Sequence, residues 1–477
     1  MDEQKYPFKV GLFGIGLDTY WPQFEGLKQR LEGYLATVHK RIDQYGAEVV
    51  CAGLVDSPEK AFEAGHSFRQ QDVDVIFLHV TTYALSSTVL PVVQRADVPV
   101  VVLNLSPESA IDYEWFNSLE DRTKMTGEWL AHCSACPVPE IANVFKRTDI
   151  HFHQITGSLD EEDPCWVQVR EWIQAARVVH TMSHNRMGCM GHYYNGMLDI
   201  YTDLTQQYAT FGGHIEHIEV DELTELRSQV PDSEIVERVE RFYNAFDVQE
   251  ECSSKALRES ARTSVALDKL VEKYHLGSMV YYYQGSGVPE NEDTMATIIL
   301  GNSLLTANGV PVAGEYEIKN AQAMKIMDSF GAGGSFTEYY AMDHDADVVL
   351  MGHDGPGHIK IAENKTKVKP LDTYHGKVGQ GLSVEMSVKN GPVTLLSVVE
   401  YEGGLQLLVA EGRSVPGPIL EIGNTNSRYQ FSIGVRDFVE KWNSHGPAHH
   451  CAVGVDHIAS KIQKLGKLLG IAVVQVC

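Results

Sequence analysis

Lys9-Val10-Gly11-Leu12-Phe13-Gly14-Ile15 is apolar at both alternating sets of positions. A strand with one face in water would alternate apolar and polar residues. This one reads as covered on both sides, as strands of a parallel sheet are. It leads into an amphipathic stretch from Gln23 to Tyr45. Three more strand-like runs follow, Ala47–Val55, Val73–His79 and Val98–Leu103, separated by helical patterns around Glu59–Gln70 and Ser86–Arg95. Apolar strands alternating with helices predict a doubly wound α/β domain over residues 1–157.

A second α/β segment, 158–325, follows the boundary at Gly157. It holds a helical stretch Trp166–Ala176, strands at Val178–Met182, His214–Val220 and Ser278–Tyr283, and a helix at Glu234–Phe246. After about Phe330 the texture changes. Ala346–Met351, Leu382–Val388, Val393–Tyr401 and Gly404–Glu411 are strand-like, between turns such as Lys389-Asn390-Gly391. Short strands at that spacing predict an antiparallel barrel or sandwich over 326–477, closed by a helix near Asp456–Leu469 and a strand near Gly470–Gln475. The predicted architecture is two doubly wound α/β domains followed by a β-barrel-like domain.

The chain has 477 residues, enough for several cores, and 43% of them are hydrophobic against 22% charged, a globular composition. With 39 Lys+Arg against 64 Asp+Glu, the formal net charge is -25. Such a chain repels phosphate backbones and anionic lipid, so no nucleic acid and no membrane are expected as partners. No apolar run approaches the roughly 18 residues of a membrane span. The polar start Met1–Lys5 does not read as a secretory leader, and eight scattered cysteines read as free thiols. Both readings point to a cytoplasmic protein.

The chemistry concentrates between Ala313 and His353. Ala313-Gly314-Glu315-Tyr316-Glu317 precedes a helical pattern, Gly333-Gly334-Ser335-Phe336-Thr337-Glu338 follows, and Asp347–Met351 leads to Gly352-His353. Far downstream stands Gly446-Pro447-Ala448-His449-His450. Two carboxylates and two imidazoles without cysteine suit a divalent metal such as Mn²⁺ better than structural zinc. Spacing leaves a plainer reading open. A Glu before a helix also gains from the helix dipole, and a His after a strand is often simply hydrogen-bonded.

The order of these blocks resembles that of L-arabinose isomerases. The resemblance implies that Glu315, Glu338, His353 and His450 hold the metal, with Glu315 and Glu338 also the acid/base pair. It implies an aldose–ketose isomerase in three domains, oligomeric as a hexamer or tetramer. The residue types suit that reaction: moving a carbonyl between C1 and C2 requires a base for a weakly acidic C–H, and a Lewis acid stabilises the enediolate. The sugar itself stays open, as does an L-fucose isomerase-like or other deoxy- or modified-sugar reading. A non-catalytic sugar binder has no need of a metal-bound carboxylate pair, and a zinc hydrolase would draw on other His pairs.

The sugar-contact region departs from the family pattern. After the first strand stands Gly14-Ile15-Gly16-Leu17-Asp18-Thr19-Tyr20-Trp21, in which Tyr20 alone lines up, and Ser118–Glu128 lacks the family's histidine. Buried polar contacts to hydroxyls set sugar specificity, so the substrate need not be L-arabinose. Candidate sugar contacts are Tyr20, His449, and His184, Asn185 and His192 of the glycine-rich segment His184–His192. Glu317 reads either as a partner to a ligand or as a solvated side chain. Cys133/Cys136 and His214/His217 have metal-like spacing without the companions a metal site needs. Tyr281, Tyr282 and Tyr283 read as a sheet face, and His79 as a core histidine.

Overall fold

The computed structural model describes residues 6–477 apart from Ser286, Asp372, His375, Gly376, Gly379, Gln380 and Glu402, so Met1–Lys5 lies outside the described residues. The chain divides into two compact units, Asp2–His180 and Thr181–Cys477.

In the first unit β1 (Lys9–Ile15), β2 (Glu48–Val55), β3 (Val75–His79), β4 (Val100–Ser106) and β5 (Phe152–Ser158) form a parallel sheet in the order β2-β1-β3-β4-β5. The double-sided apolar pattern is the cause. Phe13, Ile15, Ile76, Leu78, Val100 and Val102 pack on one face against Phe68, Val92, Ile141 and Phe145. Val10, Leu12 and Val101, of the opposite parity, are buried as well. The helix Leu27–Gln44 buries Leu27, Leu31, Leu35, Val38 and Ile42, one stripe at helical spacing.

The second unit opens with β6 (Arg186–Gly191), β7 (His214–Ile218), β8 (Asp247–Val248), β9 (Ser278–Tyr282) and β10 (Val312–Ala313). Here β10-β9-β6-β7 is a second parallel sheet. The strand expected at Val178–Met182 is instead the end of the helix Cys165–Ser183. Buried Trp166, Val169, Ile173 and Ala176 keep helical spacing, which carries on through those β-branched residues. The strand forms one step later, inside the glycine-rich segment His184–His192. Gly188 suits it, because a Cβ there would come 2.7 Å from Leu276 Cδ1.

Beyond lie β11 (Gly333–Asp343), β12 (Val348–His353), β13 (Lys367–Pro370), β14 (Thr373–Tyr374), β15 (Lys377–Val378), β16 (Leu382–Glu385), β17 (Gly391–Tyr401), β18 (Gly404–Ser414), β19 (Thr425–Phe431), β20 (Cys451–Val455) and β21 (Ala472–Gln475). Six of them close into an antiparallel barrel, β17-β20-β11-β12-β19-β18, by the pairing of β17 with β18. β21 adds to β18 in parallel. The α/β and barrel classes expected from the sequence are both present. β8, β13 and β16 make a small separate sheet, and β14 pairs with β15. The helix Ile318–Ser329 packs against β9 and β10 and against β11, β17 and β20. It is buried from Ile318 to Met327. No described helix is long and apolar enough to cross a membrane.

Candidate metal centre

Four segments of the second unit deliver side chains to one place. Glu315 follows β10 in a turn where Glu315 and Tyr316 both adopt left-handed backbone, φ 57° and 63°. Non-glycine residues rarely sit there, and such strain gathers at functional sites. The turn is held by Tyr316 N–H donating to Tyr281 O (3.1 Å) and Tyr194 N–H donating to Glu315 O (3.3 Å). Glu338 lies within β11 opposite Gly352 of β12, so His353, the last residue of β12, is its neighbour across the barrel rim. The Thr425 hydroxyl fixes that strand end, accepting from His353 N–H (2.8 Å) and donating to His353 O (2.9 Å). On the other side Thr337 pairs with Cys451, which sets His450 beside Glu338. Three adjacent barrel strands and one sheet end thus converge. The glycine pair ahead of Glu338 starts β11, with Gly333 and Gly334 at φ 85° and 126° and a register shift before Ser335.

His353 Nε2 stands 3.7 Å from Glu315 Oε1, and His450 Nε2 stands 3.5 Å from Glu315 Oε2 and 3.9 Å from Glu338 Oε2. His449 Nε2 contacts Glu338 Oε2 at 2.6 Å. Phe336 stacks on the His450 ring at 4.3 Å and meets His353 edge-on at 4.5 Å, packing both imidazoles in place. His450 Nδ1 is hydrogen-bonded to the Glu317 carboxylate.

Two electrostatic pulls act on the carboxylates. Burial by itself would raise the Glu315 carboxyl. The polar contact with His353 and the charges of His450, His353 and His449 outweigh it and hold the group below its ordinary value. At Glu338 burial again pushes upward, and the hydrogen bond with His449 together with the charges of His353, His450 and His449 outweighs it and holds this carboxyl below its ordinary value as well. The same Glu338 hydrogen bond raises the His449 imidazole.

Glu315 Oε2 and His450 Nε2 are buried without a hydrogen-bond partner. Buried polar atoms are almost always paired, so this facing oxygen and nitrogen want a shared ligand. Donors that share one cation at about 2.0–2.2 Å stand roughly 3–3.5 Å apart, so a divalent ion fits here. Glu315, His353 and His450 offer ligand atoms all within 4.8 Å of one another, and so do Glu338, His449 and His450. No other such group of His, Cys, Asp or Glu occurs among the described residues, which leaves Cys133/Cys136 and His214/His217 outside any metal cluster.

The other candidate contacts scatter. His449 joins the cluster, with its N–H donating to Asp199 Oδ2 at 2.7 Å. His192 follows β6 at the same carboxyl end of the sheet, edge-on to Tyr282 at 5.4 Å, and Tyr194 tilts onto Tyr282 at 4.7 Å. Tyr194, whose N–H donates to Glu315 O, ties this aromatic group to Glu315, and burial first, then Tyr194 and Glu315, push the Tyr282 hydroxyl up to about 12. His184 and Asn185 precede β6 at its amino end, about 20 Å of strand away. Asn185 is buried there and donates from Nδ2 to Ser278 Oγ at 2.8 Å. Tyr20 belongs to the first unit, after β1, edge-on to Trp21 and Phe24. His79 is a core histidine, lowered to about 3 by burial. Sequence reasoning missed Tyr194, Asp199 and Thr425 and set Tyr282 aside. The position of Tyr282 at the carboxyl end of a parallel strand was the available signal.

A parallel α/β sheet abutting a closed antiparallel barrel, with carboxylates and imidazoles meeting where they join, defines the class: a barrel-capped α/β protein with a candidate oxygen–nitrogen metal centre. Comparison with known proteins bears out the resemblance read from the motifs. Residues 333–472 match the family model of the L-arabinose isomerase C-terminal domain. The chain is similar to the L-arabinose isomerase of Shewanella baltica (strain OS223), 21% identical over 324 residues, 63% of this chain and 62% of that protein. It matches that of Shewanella sp. (strain ANA-3) at 21% over 323 residues, 64% and 62% of the two chains. The chain therefore spans less than two thirds of the length of these relatives. A sulfoquinovose isomerase of Alkalicoccus urumqiensis is 24% identical over 176 residues, 36% of this chain and 39% of that one.

Proposed function

We propose that this protein is a divalent-metal-dependent aldose–ketose isomerase, moving a sugar carbonyl between C1 and C2 through an enediol(ate). The observation that carries the reading is the buried pair of partnerless atoms, Glu315 Oε2 and His450 Nε2, 3.5 Å apart beside His353 and Glu338. Glu315, Glu338, His353 and His450 would hold the cation, Mn²⁺ first among the candidates. The ion would supply Lewis-acid polarisation of neighbouring sugar oxygens. Glu315 and Glu338, both held below the ordinary carboxyl range, are poised as proton acceptors at neutral pH. One takes a proton from carbon and the other manages the hydroxyl proton. His449 donates to Glu338 and keeps that carboxylate aimed. His192, Tyr194 and Tyr282 offer an aromatic wall for the sugar beside Glu315.

The similarity to proteins named L-arabinose isomerase favours a neutral pentose or a related hexose. The match to a sulfoquinovose isomerase supports a second reading of the sugar, one modified at its far end. We further take the protein to act as a homo-oligomer, a hexamer or tetramer, in the cytoplasm, where its eight free cysteines are at home. The deciding experiment measures ketose formation by EDTA-stripped protein with and without Mn²⁺ across pentoses, hexoses, deoxyhexoses and a 6-sulfonated hexose. Metal-dependent turnover of any aldose is expected. A folded, metal-loaded protein that turns over none of them is a sugar binder instead.

A further inference from the structure

Glu317 belongs to neither the ligand set nor the proton-transfer pair, yet it is among the most deeply placed charged side chains of the second unit. Its side chain and that of His450 are both 0% exposed. The carboxylate is hydrogen-bonded to His450 Nδ1. A carboxylate only accepts, so Nδ1 carries a proton, and a cation at Nε2 would take up the lone pair of that tautomer. That Nε2 faces Glu315 at 3.5 Å and Glu338 at 3.9 Å. Glu317 is also the N-cap residue of the helix Ile318–Ser329, whose positive dipole end compensates a buried negative charge. The strained Glu315–Tyr316 turn has a further consequence: it lets two glutamates two residues apart act on one metal centre, one from within the cluster and one from behind its histidine.

His353 offers the contrast. Its Nδ1 has no hydrogen-bond partner, and the Asp354 carboxylate is 3.7 Å away. Its placement comes from the backbone, through Thr425. Of the two buried imidazoles of the centre, only His450 has a carboxylate hydrogen-bonded to its Nδ1.

We infer that Glu317 is a positioning residue that fixes the Nδ1–H tautomer and ring orientation of His450 and so sets the affinity of the centre for a divalent cation. This rests on the metal reading above and extends it to a residue outside the ligand set. Outer carboxylates on metal-bound histidines are worth about 10–100-fold in affinity.

Calorimetric titration of the EDTA-stripped full chain with Co²⁺ tests it, with the visible absorption of the bound ion as a second readout. Glu317→Leu is expected to bind Co²⁺ about 10–100-fold more weakly. Glu317→Gln keeps an acceptor without the charge and is expected to lose roughly three- to tenfold, neutral hydrogen bonds being about half as strong as charge-assisted ones. The Co²⁺ absorption bands stay in place in both, because the ligands are unchanged. Should the leucine variant not fold, the isosteric glutamine variant decides alone. Affinity within twofold of the parent in either folded variant, or bands that move as if a ligand were lost, overturns the inference while leaving the metal reading standing. A parent that binds Co²⁺ no better than Glu315→Ala removes the metal reading itself, and this inference with it.

Discussion

At the scale of single residues, the candidate centre depends on two glutamates under opposed forces. Burial penalises the charged forms of Glu315 and Glu338, and the surrounding imidazoles more than repay that penalty. Glutamine has nearly the same shape and still accepts a hydrogen bond, but it cannot carry a proton. Glu315→Gln or Glu338→Gln should therefore lower kcat at least about 10³-fold, within the range for general acid–base groups, without changing the circular dichroism spectrum. Near-normal turnover in either variant would remove these residues from the mechanism. Glu315, Glu338, His353 and His450 could be named as a set only through the resemblance to L-arabinose isomerases, whose order of motifs they follow. The partners that steady them were legible only in part: Glu317 stood out by its nearness to Glu315, but which residue it partners did not, and Thr425 gave no signal. Glu317 meets His450 across 133 positions of sequence and Thr425 meets His353 across 72, and no local pattern announces such contacts.

At the scale of elements, the parallel strands of the first third could be read directly, because burial on both faces leaves unbroken apolar runs. The same logic misled at Val178–Met182, where apolar residues end a helix, and the following strand was hidden by its glycines. In the barrel, β11 was obscured by the paired glycines at its start. A second glycine matters more for the site. At Gly352 an added Cβ would lie 1.8 Å from Thr425 O, so an alanine must force β12 and β19 apart. Since His353 is the next residue, Gly352→Ala is expected to cost about 1–3 kcal/mol or more by overpacking. It should also weaken Co²⁺ binding at least tenfold. Gly33, with open space around its Cβ position in the helix Leu27–Gln44, is the control. Gly33→Ala should gain about 0.5–1 kcal/mol. Urea unfolding and metal titration read both effects, and parent-like behaviour of Gly352→Ala would show that the rim tolerates movement.

At the scale of the whole molecule, the division into Asp2–His180 and Thr181–Cys477 separates scaffold from chemistry, since every candidate ligand lies in the second unit. A cation that binds only the folded second unit stabilises it by RT ln(1 + [L]/Kd), about 2.7 kcal/mol at a hundredfold excess over Kd. Amides that exchange only when that unit unfolds should then exchange roughly 100-fold more slowly, since each 1.4 kcal/mol is a factor of ten. Those in β11, β12 and β20 are the most direct reporters because these strands carry Glu338 and His353 and adjoin His450. Hydrogen exchange read by mass spectrometry, with and without saturating Mn²⁺, should show this slowing there and unchanged rates in β1, β3 and β4. Unchanged exchange in the barrel strands of metal-loaded protein would place the cation elsewhere. Equal slowing in the first unit would mean that it supplies a ligand, and Tyr20 and its neighbours at the end of β1 would be the residues to substitute next.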